Sequence, residues 1–233
     1  MVERIWFVIA AAGRAKRYGG AVPKPYLRIA GRTLLEHSLR TLNSVAGIAG
    51  GVAVLANGDR RFERLPLAVR RRVVAVAGGS SRALSVLNGL QALITADADD
   101  WVLVHDAARP CLQRKDVERL IAACRRDPVG GLLAEPVADT LKQAGEDGRG
   151  HRTLSRERLW RAQTPQMFRH GRLLRALTEA QSAGYEATDE SAAMEKQGLR
   201  PLLVEGSPFN IKVTRPADLA FAAAALHVAR RRR

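Results

Sequence analysis

The first apolar run of the chain, Ile5-Trp-Phe-Val-Ile9, has no polar interruption and ends in three alanines and Gly13. Such a run of β-branched and aromatic residues predicts a strand buried on both faces. Thr33 and Glu36 form a capping box, and Leu34, Leu35, Leu39 and Leu42 recur at helical spacing, which predicts a helix ending near Asn43. Further strands are expected over 51–56, 72–77, 101–105 and 131–136. Leu84, Leu87, Leu90 and Leu93 mark a helix capped by Ser80 or Ser81, and others are expected over 114–124, 171–183 and 188–197. Short strands over 201–205 and 209–213, and a last helix opening at 214–218, complete the pattern. The repeated strand–helix–strand order predicts an α/β fold, with a parallel sheet covered by helices on both faces.

One stretch breaks this rhythm. Asp139-Thr140-Leu141-Lys142 reads as extended, 144–150 as a polar, glycine-rich turn, and Thr153-Leu154-Ser155 brings the chain back. A hairpin this thin cannot build its own core. The expectation is one domain over 1–233, with 137–158 inserted as a β-arm that reaches onto a partner subunit and makes a homodimer. Immediately after it, Trp160 and Pro165 are expected to pack, and Thr164 to donate to a phosphate.

Composition narrows the partners. With 46% apolar residues, a chain of 233 can bury a proper core. No apolar run is long enough to span a bilayer, and the segment 5–12 is too short for a signal and is followed by Arg14, so a cytoplasmic protein without a membrane partner is expected. Cys111 and Cys124 show neither metal-ligand nor disulfide spacing and read as buried thiols in a reducing compartment. The formal net charge of +15 raises the question of nucleic acid. The cations, however, are nearly all arginines scattered through every expected helix. Aromatic residues, at 5%, are too few to stack single strands. No helix-turn-helix or zinc-finger pattern is present, and Arg230 to Arg233 read as a solvated tail. Nucleic acid is therefore not expected as a partner, and a small phosphorylated substrate fits the charge better.

Three junctions carry candidate chemistry. After the first strand, Ala10, Ala11, Ala12 and Gly13 leave the backbone open to a ligand, and Lys16, Arg17 and Lys24 add cations within one loop that Pro23 and Pro25 stiffen. Small residues beside fixed cations suit a polyphosphate, although neither standard phosphate-loop pattern is present. Gly78-Gly79-Ser80-Ser81-Arg82 forms a second backbone-rich turn at the carboxyl end of a strand, the edge where open parallel sheets bind ligands. Asp106 ends a buried strand, where a carboxylate can hold Mg²⁺ beside phosphates, and the planar fork of Arg109 suits a phosphate. The plainer alternatives are a serine cap, an Asp106–Arg109 ion pair, a packed His105, and a dipole-favoured helix start at 188–191.

Read together, Ala11-Ala12-Gly13, Arg17, Pro23-Lys24, Gly79 with Arg82 and Ser85, Val104-His-Asp106-Ala-Ala-Arg109-Pro110, Asp139-Thr140, Thr164-Pro-Gln166, Thr188-Asp189-Glu190 and Asn210-Ile-Lys212-Val-Thr stand in an order that resembles the 2-C-methyl-D-erythritol 4-phosphate cytidylyltransferase family. The likeness covers nearly the whole chain, with Ala15, Lys16, Pro25 and Ser80 departing from the usual residues. It implies a Rossmann-like, mostly parallel sheet and a Mg²⁺-dependent transfer of CMP from CTP to the sugar-alcohol phosphate. By the same resemblance, Ala11, Ala12, Gly13, Gly79, Ser80 and Ser85 surround the nucleotide, and Arg17, Lys24 and Lys212 are the catalytic cations. Asp106, which also holds the metal, joins Arg109, Thr140, Arg156 and Thr164 at the acceptor, with Thr140 and Arg156 coming from the arm of the other subunit. The alternatives are a cytidylyltransferase for another polyol phosphate, such as ribitol 5-phosphate, and a non-catalytic nucleotide- or nucleic-acid-binding protein.

Overall fold

A computed structural model describes residues 3–13 and 22–231. The first strand, β1 (Ile5–Ala10), is followed by a small ribbon, β2 (Arg28–Ile29) and β3 (Arg32–Thr33), which hands the chain to α1 (Leu34–Asn43). Next come β4 (Ile48–Leu55), the short α2 (Leu67–Arg70), β5 (Val73–Ala77) and α3 (Arg82–Gln91). Then β6 (Trp101–Asp106), α4 (Arg114–Cys124) and β7 (Gly130–Pro136) lead into a hairpin, β8 (Leu141–Ala144) and β9 (Gly150–Leu154). The chain returns through β10 (Trp160–Arg169), α5 (His170–Ser182), α6 (Glu190–Lys196), β11 (Leu202–Glu205) and α7 (Asp218–Arg231).

Seven of these strands form one sheet in the order β11-β7-β10-β6-β1-β4-β5. β1 pairs in parallel with β4 on one side and β6 on the other, so the strand order reverses at β1. That reversal opens a crevice at the carboxyl ends of β1 and β6, the place where such sheets take ligands. Along β1, Ile5, Phe7 and Ile9 face the layer of α1, α2 and α4, while Val8 faces that of α3, α5 and α6. Both faces are covered, which is why the strand is apolar throughout. Thr33 caps α1 as expected, its Oγ1 accepting from Glu36 N at 3.1 Å while the Glu36 carboxylate accepts from Thr33 N.

Two expectations about local structure fail. Residues 160–169, to which the sequence pattern assigns no element, form β10, which runs antiparallel between β6 and β7. A proline in the middle of a central strand argues against a strand, because it cannot donate to the ladder. Here Pro165 sits where the pairing with β7 shifts register between Ala162 and Gln166, so no ladder bond is asked of it. Trp160, expected to pack, lies at the open end of the same strand and is exposed. Residues 209–213 are not a strand. Asn210 N donates to Ser207 O in a turn, and Val213 N finds Ala108 O in the loop after β6. The segment is held across the end of the sheet instead of along its edge.

Candidate active site

Asp106 ends β6, a strand buried along its whole length, level with Ala10 of β1. Its Oδ1 accepts from Arg82 Nε at 3.0 Å, and its Oδ2 lies 2.7 Å from the Lys212 ammonium. Burial alone would raise this carboxyl, but Arg82 and Lys212 outweigh it and hold Asp106 well below the usual carboxylate range. Asp106 is thus ionised at any working pH. The expected Asp106–Arg109 pair is replaced by these two partners.

Arg82 stands in the first turn of α3, where Ser81 caps the helix by accepting from Leu84 N at 3.1 Å. Its two terminal nitrogens donate to the two Glu190 oxygens at 2.8 and 3.1 Å. Burial works against the charge on Arg82, and Glu190 and Asp106 more than offset it. Glu190 is fully buried at the start of α6, where Asp189 is the cap, accepting from Ala192 N at 2.8 Å. Burial pushes the Glu190 carboxyl up against the pull of the Arg82 fork.

The register shift in β10 turns Gln163 and Thr164 toward the same end of the sheet. Thr164 Oγ1 accepts from Asp106 N at 3.1 Å and lies 3.0 Å from His105 Nδ1. With the Thr164 hydroxyl donating a hydrogen bond to the bare Nδ1, the His105 Nε2–H donates to Arg109 O at 3.2 Å. The imidazole is fully buried, and burial pushes its pKa down to about 4, so it is neutral. The Thr164 hydroxyl, expected to donate to a phosphate, lies against Asp106 N and His105 Nδ1 on the lining of a polar cavity.

This histidine has a measurable consequence. A histidine whose folded pKa lies below its unfolded value contributes stability that is complete above pH 6.5 and is lost as pH falls toward 4. The loss should reach roughly 2 kcal/mol by pH 5. Urea midpoints measured from pH 7 to 5 should fall more steeply for the wild-type chain than for His105→Gln, which cannot titrate. Parallel slopes would show that the imidazole is not held neutral.

Arg109 donates Nη1 to Asn210 O at 2.6 Å and Nη2 to Ala162 O at 3.1 Å. Its buried Nε has no partner among the described residues, a donor left over for an anion. Asn210, itself completely buried, ties this wall together, its Nδ2 donating to Gln163 Oε1 at 3.1 Å and Thr164 O at 2.8 Å. Arg82, Asp106, Arg109, Thr164, Thr188 and Lys212 all line one polar cavity of about 180 Å³. A larger apolar cavity of about 380 Å³ lies between 209–212 and α7, with Lys212 at its edge, and offers little for an anion.

The remaining expected residues fall around this cavity or away from it. The loops after β1 and β5 touch: a side chain at Gly78 would meet Ala12 Cβ at 2.3 Å and Ser85 Oγ at 2.8 Å. Ala11 N is already bound to Val54 O, so the open stretch of backbone begins at Ala12 and Gly13. Ser85 Oγ accepts from Gly79 N at 3.0 Å and donates to Ser81 O at 2.8 Å, which shapes the turn, while Ser80 is exposed. Lys24 is half-buried in the short turn Lys24–Tyr26, outside the lining of the polar cavity. Arg17 lies outside the described residues. Thr140 and Arg156 sit exposed on the hairpin, with the Arg156 guanidinium donating to Ala138 O, and this chain does not carry them to its own cavity.

The structure adds Arg82, Glu190 and Asn210 to the site. Local pattern shows Arg82 only as a cation after a serine cap and Glu190 only as an acid at a helix start, and the family resemblance includes both without giving either a role. Asn210 had a better signal, a lone amide between Phe209 and Ile211.

A carboxylate fixed between cations at the reversal point of an α/β sheet, with a third cation, Arg109, lining the same cavity, makes a site suited to a phosphorylated ligand. A family model described as 2-C-methyl-D-erythritol 4-phosphate cytidylyltransferase matches residues 5–228. The chain belongs to that family. A relative of that name from Stenotrophomonas maltophilia is 53% identical over 220 residues, covering 94% of this chain and 95% of the relative. Another, from Xanthomonas axonopodis pv. citri, is 52% identical over 221 residues, covering 94% and 83%. Among solved structures, the Francisella tularensis protein of the same name is similar with a TM-score of 0.82 and 31% identity, covering 96% of this chain and all (100%) of that one. The Thermus thermophilus counterpart gives 0.79 and 33%, covering 95% and 98%.

Proposed function

We propose that this chain transfers CMP from CTP to 2-C-methyl-D-erythritol 4-phosphate and releases pyrophosphate. The observation that carries the reading is Asp106, clamped between Arg82 and Lys212 at the mouth of a cavity that also exposes Arg109. An oxygen of the acceptor phosphate forms the new bond to the α-phosphorus of CTP, and the α-phosphorus bond to the bridging oxygen of the leaving pyrophosphate breaks. A phosphate monoester is already an anion near neutral pH, so no general base is required. The neutral, fully engaged His105 is consistent with that. What remains is to bring two anions together and to stabilise the charge of the transition state.

In this reading Arg17, Lys24 and Lys212 neutralise the triphosphate, Ala12 and Gly13 meet the nucleotide through backbone, and the Gly79 turn, whose N–H is held by Ser85, packs beside it. Arg109 receives the acceptor phosphate on its spare donor. Asp106 suits Mg²⁺: it is ionised, and no cluster of three or more metal-binding side chains is present among the described residues, so phosphates and water would complete the shell. A bound Mg²⁺ would neutralise phosphate oxygens there. Among the described residues the hairpin of β8 and β9 pairs only with itself, which supports an arm that crosses to a second copy and brings Thr140 and Arg156 to the partner's cavity. Among the described residues no helix is long and apolar enough to cross a membrane, and the two free, buried cysteines suit a cytoplasmic setting.

The test is pyrophosphate release with Mg²⁺, pairing CTP, UTP, ATP or GTP with methylerythritol phosphate, and CTP with ribitol 5-phosphate. Turnover should require CTP and methylerythritol phosphate together. Equal rates with ribitol 5-phosphate, or none with either acceptor, would overturn the reading.

A further inference from the structure

The two oxygens of Asp106 are held in unlike ways. Oδ2 meets Lys212, whose side chain is 40% exposed and free to swing. Oδ1 meets Arg82, which is itself gripped through both terminal nitrogens by the fully buried Glu190. One partner can therefore leave for a substrate phosphate, while the other cannot move without breaking a buried, bidentate ion pair. Without Glu190, Arg82 would be a long, flexible cation on the wall of a cavity built for polyphosphate. It would be drawn onto the nucleotide and would release Asp106.

We infer that Glu190 is a positioning residue for the transfer reaction, acting through Arg82 to keep Asp106 in place and to keep Arg82 off the nucleotide. Two carboxylates, Asp106 and Glu190, balance two cations, Arg82 and Lys212, so neutralising Glu190 also leaves the cavity one positive charge richer. The inference rests on the proposed reaction, and it separates binding from turnover. A residue that only supports the fold would lower both together.

The experiment combines steady-state pyrophosphate release with calorimetric titration of CTP into wild-type chain, Glu190→Gln, Glu190→Asp and Arg82→Lys. Glu190→Gln should bind CTP at least as tightly as wild type, at the same number of sites per chain, while kcat falls roughly 10–100-fold, the cost of a misplaced reacting group. Glu190→Asp keeps the charge and should recover part of the loss. Arg82→Lys tests the same link should the first variant fold poorly: one ammonium cannot span both carboxylates, so kcat should fall with CTP affinity kept. The inference is overturned by a kcat within twofold of wild type, by a loss of kcat matched by an equal loss of binding sites, or by an aspartate variant no better than the glutamine one. A wild-type chain that releases no pyrophosphate would remove the reaction and the inference together.

Discussion

Lys212→Ala should release pyrophosphate about 10²–10³-fold more slowly than the wild-type chain, while its urea midpoint barely moves. Lys212 puts its ammonium 2.7 Å from Asp106 at the mouth of the cavity, and its side chain is 40% exposed. Only the lysine end of this pair is exposed, but the buried Asp106 keeps Arg82 when the lysine is gone, so it is not left without a partner and the loss of stability should be small. What disappears is a mobile positive charge aimed at the place where phosphate charge builds up during transfer. The loss should show in kcat/KM for CTP. Lys212→Arg should recover only part of it, because a planar fork does not replace a compact point charge. Turnover of the alanine variant within tenfold of wild type would mean that the transition state does not use this ammonium.

Arg82→Ala should be the most destabilising single change in the site, by about 3–5 kcal/mol, because it strands a buried carboxylate without a partner. Glu190 is completely buried, and Asp106 nearly so. Removing the guanidinium leaves both carboxylates in the interior, with only Lys212 to answer them. Urea denaturation at pH 7 measures the loss. Adding Glu190→Gln to the same chain should return part of the stability, since an amide costs less to bury than an unpaired charge. The pH dependence has a definite sign. Burial already raises the Glu190 carboxyl, and without Arg82 it rises further, so the penalty is present at neutral pH and shrinks as pH falls through that raised value. A single variant as stable as wild type, or a double variant no better than the single, would show that this ion pair carries little of the stability.

Much of the fold could be read from local pattern. The capping box of Thr33 and Glu36, the bounds of α4, and the apolar runs of β1 and β6 depend on residues a few positions apart, and each took the form expected. Asp106 and Arg109 could also be singled out, because charged residues beside the end of a strand are conspicuous in sequence, whereas Lys212 entered through the family resemblance. β10 was hidden by Pro165, whose cost vanishes only where the neighbouring strand shifts register. The segment 209–213 looked like a strand because its apolar residues alternate, yet its backbone N–H groups bond within a local turn and, at Val213, to a loop a hundred residues earlier.

Sequence alone settled most of the helices and the parallel strands of the sheet, since hydrophobic period, capping and turn chemistry act over short distances along the chain. Only the folded chain decided the partners of the site's charges. Arg82 and Glu190 lie 108 positions apart, and nothing local to either marks the other. Burial turns such a pair from a weak surface attraction into a fixed contact, and burial is set by how the layers pack.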